Sequence, residues 1–586
     1  MNRLILITFM IAILSAYSKD RYSHTYSTYL GGSNFEQARD IAVDKDGNIY
    51  IVGGTSSSDF PVTKGAAITE YNDAGSPSVG NWGPMMAFVS KFAPDGSLIW
   101  STYVGGPSYD RAYAVEVDNE GYVYIGGRAG EDFPTTTGAA QEIFDDDRDW
   151  KNNLYGKQNG FVTKLAPDGT EIVWSTYYGD DSWGFFRDIA IDDEGYVYGI
   201  LNAVVGKPIG IDEDSFDDTH NGKKDMVVVK FDKDGSQVLW ASFIGGSEDD
   251  TGGPSIKVGV DKSVYVCGGT QSADMPTTIG AVQETYGGEG DIYVARFSPD
   301  GSSLIYCSYF GGSETEATET HGLYVDHLGE AYVACGTSSI DATTTLNAYK
   351  PITDNRDCLL FKFSADGKTL MASTYFGGSE GDHPEGLYVD KEQNLYFGGE
   401  TVSTDLPITT GATFTTFHGE TEAYVAKLNP DFSEVEFCTY YGGSGRDAVR
   451  AFNLSDDGVI CISGQSHSSD LPTTDGAYQE NHIPPIDMAN VYLALFQPEE
   501  KTNVNAFDES LTIYPNPATS NISIESENII ESITIADTEG RVVYDSINLR
   551  VSNLNLDVSS FSTGSYTVTI RSSNETSETK NLVIVK

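Results

Sequence analysis

Apolar and polar residues alternate over short runs along most of the chain, as in AYAVEVD (112–118), YVYIGG (122–127), FVTKL (161–165) and EIVWSTYYG (171–179). A period of two over five to nine residues predicts strands with one buried face. The links NEG (119–121) and APDG (166–169) join the first run to the second and the third to the fourth. Short Gly-containing links of this kind suit antiparallel hairpins, so four strands make one unit.

The unit recurs. STYLGG at 27–32 returns as STYVGG (101–106), STYYGD (175–180), ASFIGG (241–246), CSYFGG (307–312), STYFGG (373–378) and CTYYGG (438–443), at steps of 74, 74, 66, 66, 66 and 65 residues. A fixed period marks stacked or circular architectures, and seven four-stranded units predict a seven-bladed β-propeller. After Gly442 the chain writes only three strands, VRAFNLS (449–455), VICISGQ (459–465) and NVYLALFQP (490–498), whereas HTYSTYLGG (24–32) is a fourth strand without a blade. The N-terminal strand is therefore expected to pair with the strand around Tyr492, closing the ring and removing two open sheet edges.

Strand alternation sends the loops between second and third strands, and between blades, to one face. Those long insertions share the wording DFPTTTGAAQ (132–141), DMPTTIGAVQ (274–283) and DLPTTDGAYQ (470–479). Prolines and glycines at fixed offsets indicate ordered turns, and a binding or catalytic site is expected on this face.

Composition supports a folded, all-β protein: 39% hydrophobic, 12% aromatic, with 62 Gly and 35 Tyr. The formal charge is −50, from 86 acidic against 36 basic residues. No basic patch stands out along the sequence, so nucleic acid is not an expected partner. The acidity suits solubility outside the cell, or affinity for cations such as calcium. MNRLILITFMIAILSAYS (1–18) has the charged start, apolar run and small residues of a signal peptide, cleaved after Ala16 or Ser18. No later segment reaches the roughly 20 apolar residues of a membrane helix. A monomer is expected. Six cysteines in 586 residues are not a disulfide scaffold. Cys307 and Cys438 stand where other copies have Ser101, Ser175 or Ala241 and fill a small buried slot, whereas Cys335 and Cys358 could face each other across neighbouring strands.

STYLGGS (27–33) followed by DIAVDKDGNIYIVGGTSSSDFPVT (40–63) resembles the bacterial SBBP-type β-propeller repeat family, over roughly residues 24–497. After a polar linker at 498–509, LTIYPNPATSNISIES (511–526), ESITIADTEGRVVYDS (531–546), LDVSSFSTGSYTVTIRS (556–572) and KNLVIVK (580–586) give about seven short strands, as in a small β-sandwich. This segment, 510–586, resembles the type A C-terminal sorting domain of the Bacteroidetes type IX secretion system on YPNP (514–517), Gly540, Arg541, Gly564 to Tyr566 and the final Lys. The resemblance implies export across both membranes through the type IX machinery, then removal of the domain and release or attachment at the cell surface. The propeller itself is assigned residues 19–497.

Candidate chemistry falls into two groups. Trp100, Trp174 and Trp240 share one place before the phrase and read as blade packing, but Trp82, Trp150 and Trp183, with Tyr71 and Phe144, fall in long-face loops. They are either loop packing or a patch that stacks on a ligand. Five residues after the first Gly of the phrase stand Glu36, Asp110, Asp250, Glu316, Asp382 and Asp447, with Gly184 as the exception. This acidic ring either collects a cation through hard oxygen ligands or accepts hydrogen bonds from adjacent loops. DKDGN (44–48) and DKDGS (232–236) lack the full calcium-loop spacing and read as hairpin turns.

No zinc-protease or phosphate-loop motif is present, and GQSHS (464–468) lacks the closing Gly of a nucleophile elbow. His321 and His383 precede inner strands without metal-ligand spacing. The leading expectation is a secreted or surface propeller that binds a glycan or protein through its long-loop face. The rivals are a polysaccharide-active or other hydrolytic enzyme on the same face, and a structural surface component.

Overall fold

The computed structural model describes residues 21–72, 85–145, 155–179, 184–203, 206–318, 321–485, 487–499, 511–538, 541–572 and 577–586. Among these residues every regular element is a strand. The signal-peptide reading and the linker, apart from residues 498 and 499, lie outside them. The chain divides into two compact units, one reaching Glu499 and one beginning at Glu500.

The first unit is seven antiparallel blades. Blade one runs Glu36–Val43, Ile49–Thr55, Met86–Phe92 and Leu98–Val104, and blades two to six repeat this order, blade five with its first strand split into Glu316–Ala317 and Leu323–Val325. Blade seven takes Asp447–Leu454, Ile460–Ser466 and Asn490–Pro498 from the end of the unit and Tyr22–Leu30 from its start. The closing strand lies antiparallel to its neighbour, with Tyr29 opposite Tyr492 and Leu30 opposite Val491. Cores form between blades, because each sheet buries both faces against its neighbours.

The repeated phrase and its flanking residues make the same contacts in several blades. The Tyr103 hydroxyl donates to the Ser57 carbonyl at 2.9 Å, and Tyr177, Tyr309, Tyr375 and Tyr440 reach Gly130, Ser272, Ser339 and Ser403 in their own blades. Tyr29 repeats the bond to Ser468 at 2.6 Å, across 439 residues of sequence. The Ser after the glycines donates to the Asp that opens the D-x-P loop, as Ser33 does to Asp59 and Ser247 to Asp274. That pairing explains why both words recur together. Trp100 lies over Gly169 of the next blade and its indole N–H donates to Pro167 O at 3.0 Å. Gly169 sits at φ 70°, so the turn needs glycine both for its backbone and for lack of a Cβ.

All six cysteines are buried and free. Cys335 is opposite Leu359 and Cys358 opposite Gly336. Adjacent positions point to opposite faces of a strand, so the two thiols belong to different cores and do not face each other.

The second unit has five strands rather than seven short ones: Leu511–Tyr514, Asn521–Asp537, Val542–Asp557, Gly564–Ser572 and Ser577–Ile584. Irregular pairing between Glu525 and Ser532 bends the two long strands, so each serves both halves of the core. Ala518 bridges to Ile584, leaving a nearly closed, barrel-like sheet around Ile524, Ile533, Val568 and Leu582.

Removing the closing tyrosine tests the ring. Tyr29→Ala empties a fully buried site and leaves the Ser468 carbonyl unpaired, at an expected cost of about 3–5 kcal/mol, read as a shift in the urea midpoint of the mature chain. An unchanged midpoint contradicts this role.

Candidate functional site

The first strands of successive blades pack on one another and line the central channel. Their starts, and the ends of the second strands, lie at the long-loop end. There blade two contributes Arg111, at the start of Arg111–Val117, and Arg128, near the end of Val123–Ala129. Blade one adds Arg39 and blade three adds Arg187.

The four guanidinium carbons lie 4.8, 5.1, 5.2 and 5.3 Å from the centroid of the Tyr113 ring, for Arg39, Arg111, Arg128 and Arg187 respectively. Arg128 is also 3.9 Å from the Phe185 centroid and 4.5 Å from that of Tyr155. Tyr155 is brought there by the long loop of blade two. Gln158 pins that loop by donating to Tyr109 O at 3.1 Å and Tyr155 O at 3.2 Å, and Tyr155 packs edge-on against Tyr109. Arg111 and Arg128 are each 4% exposed, while Arg39, Arg187 and Tyr155 are half-buried.

Four cations around one ring lie within roughly 10 Å of each other, where a pair about 8 Å apart repels by roughly 2 kcal/mol at an effective dielectric of about 20. Cation–π contact offsets part of that. Among the described residues no carboxylate pairs with Arg111 or Arg128. Arg111 donates to the Gln37 side chain, yet its Nε, and Nε and Nη1 of Arg128, are buried without a hydrogen-bond partner. Burial raises the Tyr113 hydroxyl, but the four guanidiniums overcome this and draw it down to about 7.

Below this cage a second cluster crosses the channel. His321 of blade five, at φ 72°, reaches blades one to three: Nε2 is 3.0 Å from Tyr113 O and 3.7 Å from Asp40, and Nδ1 is 3.4 Å from Asp188. Lys257 of blade four lies 3.6 Å from Glu116 and 3.9 Å from Asp188. Burial disfavours charge on His321, but Asp40 and Asp188 prevail and raise its pKa. Asp40 and Asp188 also accept the amides of Val115 and Ile256 in the following blades, at 2.7 and 3.0 Å. Asp40, Asp188 and His321 offer ligand atoms within 4.8 Å of one another, a grouping that sequence spacing does not reveal. Lys257 already supplies positive charge beside it.

Of the residues singled out from sequence, Trp82, Trp150 and Trp183 lie outside the described residues. Tyr71 and Phe144 pack edge-on against Tyr103 and Tyr177, as Tyr286 and Phe417 do against Tyr309 and Tyr440 in blades four and six. Phe144 also lines a cavity of about 650 Å³ with Ile143, Lys207 and Ile209. The acidic ring sits where blades meet: Asp250 accepts from Gly246 N, Thr270 and Ser272, Asp382 from Gly378 N, Thr401 and Ser403. Glu36, Asp110, Glu316 and Asp447 make corresponding bonds. The arginine cage was missed, contrary to the expectation of no basic patch, because its members are far apart in sequence. A register of the repeats would have shown Arg39, Arg187 and Arg450 at one inner-strand position.

Residues 25–61 and 99–134 match the β-propeller repeat family SBBP, and residues 512–585 match the secretion system C-terminal sorting domain. The chain is an SBBP-repeat propeller with a type IX sorting domain. The sorting domain indicates export to the cell surface or the extracellular space. Regulatory protein FlaEY of Caulobacter vibrioides is 25% identical over 273 residues, which are 43% of this chain and 27% of FlaEY. Among solved structures, BamB from Moraxella catarrhalis is 10% identical over 81% of this chain and 99% of its own, with a TM-score of 0.35. Quinohemoprotein alcohol dehydrogenase from Comamonas testosteroni is 11% identical over 87% and 85%, with a TM-score of 0.38. Neither similarity bears on what this propeller does.

The blade joints hold a second acid apiece. Asp225, Asp291, Asp357 and Glu422 begin third strands and stand beside Asp250, Glu316, Asp382 and Asp447 of the next blade, and in three of the joints both crowd the place a Cβ would take on Gly311, Gly377 or Gly442. At the seven–one joint Asn490 replaces the first acid and donates to Glu36 at 2.9 Å. Burial, then the facing carboxylate, raises Asp291 to about 6; burial raises Asp110 to about 8. A carboxyl with a raised folded pKa stabilises below its unfolded value near 4 and loses that contribution as pH climbs through the folded value. The melting temperature is therefore expected to fall from pH 5 to pH 8 at constant ionic strength, and Asp291→Asn, which copies Asn490, to narrow that fall. A profile unchanged by the substitution argues against the joint.

Proposed function

We propose that this exported propeller binds an extracellular ligand, a glycan or a protein, at the mouth of its central channel on the long-loop face. One observation carries the reading: buried arginine N–H groups without partners converge with half-buried Tyr155, Arg39 and Arg187 at the channel end where the long insertions gather. Blade-to-blade adhesion does not need such a cluster, since other joints use the residue before the phrase on the turn glycine of the next blade, and the acid ring. Long ordered loops on a rigid ring commonly carry recognition.

A polysaccharide-active or other hydrolytic enzyme is the second reading, and Tyr113 favours it, because a phenol drawn toward neutrality can exchange a proton. Turnover of a polysaccharide panel, lost in Tyr113→Phe, separates it from binding alone.

The mature chain should retain a ligand on a glycan or extracellular-protein array. Tyr155→Ala is expected to weaken it about tenfold, as loss of one stacked or hydrogen-bonding aromatic would, with the melting temperature kept. An array without any ligand, or undiminished binding by the variant, removes this reading.

A further inference from the structure

Apart from the mouth of the channel, we propose that the joint between blades five and six holds a second ligand site, which takes a sugar bearing a protonated amine. A cavity of about 450 Å³ opens there, within the size range of sites that enclose small ligands. It is framed by the ends of the second strands Ala331–Thr337 and Leu395–Thr401 and by the starts of Asp357–Phe363 and Asp382–Val389. Three carboxyl side chains line it, Asp357, Asp382 and Glu400, against one guanidinium, the exposed Arg356. Glu400 stands opposite His383, where blade five has Gly336 opposite Ala317 and blade seven Gln465 opposite Ala448. Gly336 gives the His383 ring its place, since a Cβ there would come within 3.0 Å of it.

The three acids are satisfied to different degrees. Asp382 accepts from Gly378 N, Thr401 and Ser403. Asp357 is fully buried, with Lys350 2.6 Å from its Oδ2, but its Oδ1 has no hydrogen-bond partner among the described residues. Glu400 is 36% exposed, and Arg450 Nη2 lies 3.5 Å from one of its oxygens. A buried carboxylate oxygen is ordinarily met by a donor, and an ammonium meets it with a charge-assisted bond. Lys350 already makes such a contact with this acid, so the joint accommodates the group. The net charge of −50 draws cations toward the protein and turns anions away. The walls select the rest of the ligand. Thr315 and Thr421 bring hydroxyls, while Ala317 and Val402, the latter 40% exposed, form a small apolar patch. A sugar ring, with hydroxyls around its edge and C–H groups on its face, matches both and fills the cavity better than a lysine side chain.

The test is calorimetric titration of the mature full-length chain at pH 6 with chitotriose, whose glucosamine units carry free amines, against the fully N-acetylated trisaccharide, whose amides are uncharged. The expected result is at least about tenfold tighter binding of the amine form, weakened by salt. Glu400→Gln, at a half-exposed position, and Asp357→Asn, which copies Asn490 at the seven–one joint, should each remove most of that preference. Circular dichroism and melting check that each variant is folded, and Glu400→Gln decides alone if Asp357→Asn loosens the joint. Tyr155→Ala, the test of the channel mouth, should leave chitotriose binding unchanged, so the two sites fail separately. Absence of binding, equal binding of the two trisaccharides, or a preference that survives Glu400→Gln overturns the proposal. Loss of chitotriose binding in Tyr155→Ala overturns its placement in this joint. Trilysine bound as tightly as chitotriose, with the same dependence on Glu400, overturns the sugar assignment.

Discussion

A ring of sheets holds together only if its last joint is made like the others, and here that joint is assembled from chain ends more than 450 residues apart. Tyr22–Leu30 completes blade seven in antiparallel register with Asn490–Pro498. It repeats the tyrosine bond of the other copies, Tyr29 to Ser468, and seals the joint with the Tyr26 hydroxyl on Gly96 of blade one and Asn490 on Glu36. With the edge closed, each blade is buried on both faces, and the first strands are held close enough for side chains from blades one, two, three and five to meet in the channel.

That enforced proximity explains the unusual chemistry inside. Asp40, Asp188 and Glu116 would be costly to bury singly, but Lys257 and His321 arrive from other blades to neutralise them. The arginine cage lacks an equivalent set of counter-charges at Arg111 and Arg128. Three buried nitrogens of Arg111 and Arg128 are left without a hydrogen-bond partner at the end of the channel where the long loops emerge.

The ring and its closure were legible because repetition amplifies a weak signal: seven copies of one phrase fix blade number, and a strand deficit at one end matches a surplus at the other. The acid ring was visible as a pattern, but not its facing partners at the third strands, which are separated from it by a whole hairpin. The cage was hidden because its members occupy different places in the repeat: Arg39 and Arg187 share one inner-strand position, Arg111 lies two residues earlier in its own copy, and Arg128 is on a second strand. His321 reaches across because Glu316 to Asp326 is two residues longer than Glu36 to Asp44, a difference that looks trivial in one dimension. In the C-terminal unit, irregular pairing joined short apolar runs into long bent strands, which periodicity alone reads as separate.

The late completion of blade seven also orders events during synthesis. The first strand to emerge must wait, unpaired, until nearly the whole propeller has followed it, so its partner exists only in chains that have been translated past Pro498. A chain interrupted earlier carries two raw sheet edges and no way to cover them. Because the sorting domain comes later still, any molecule able to present it for export already contains every strand the ring requires.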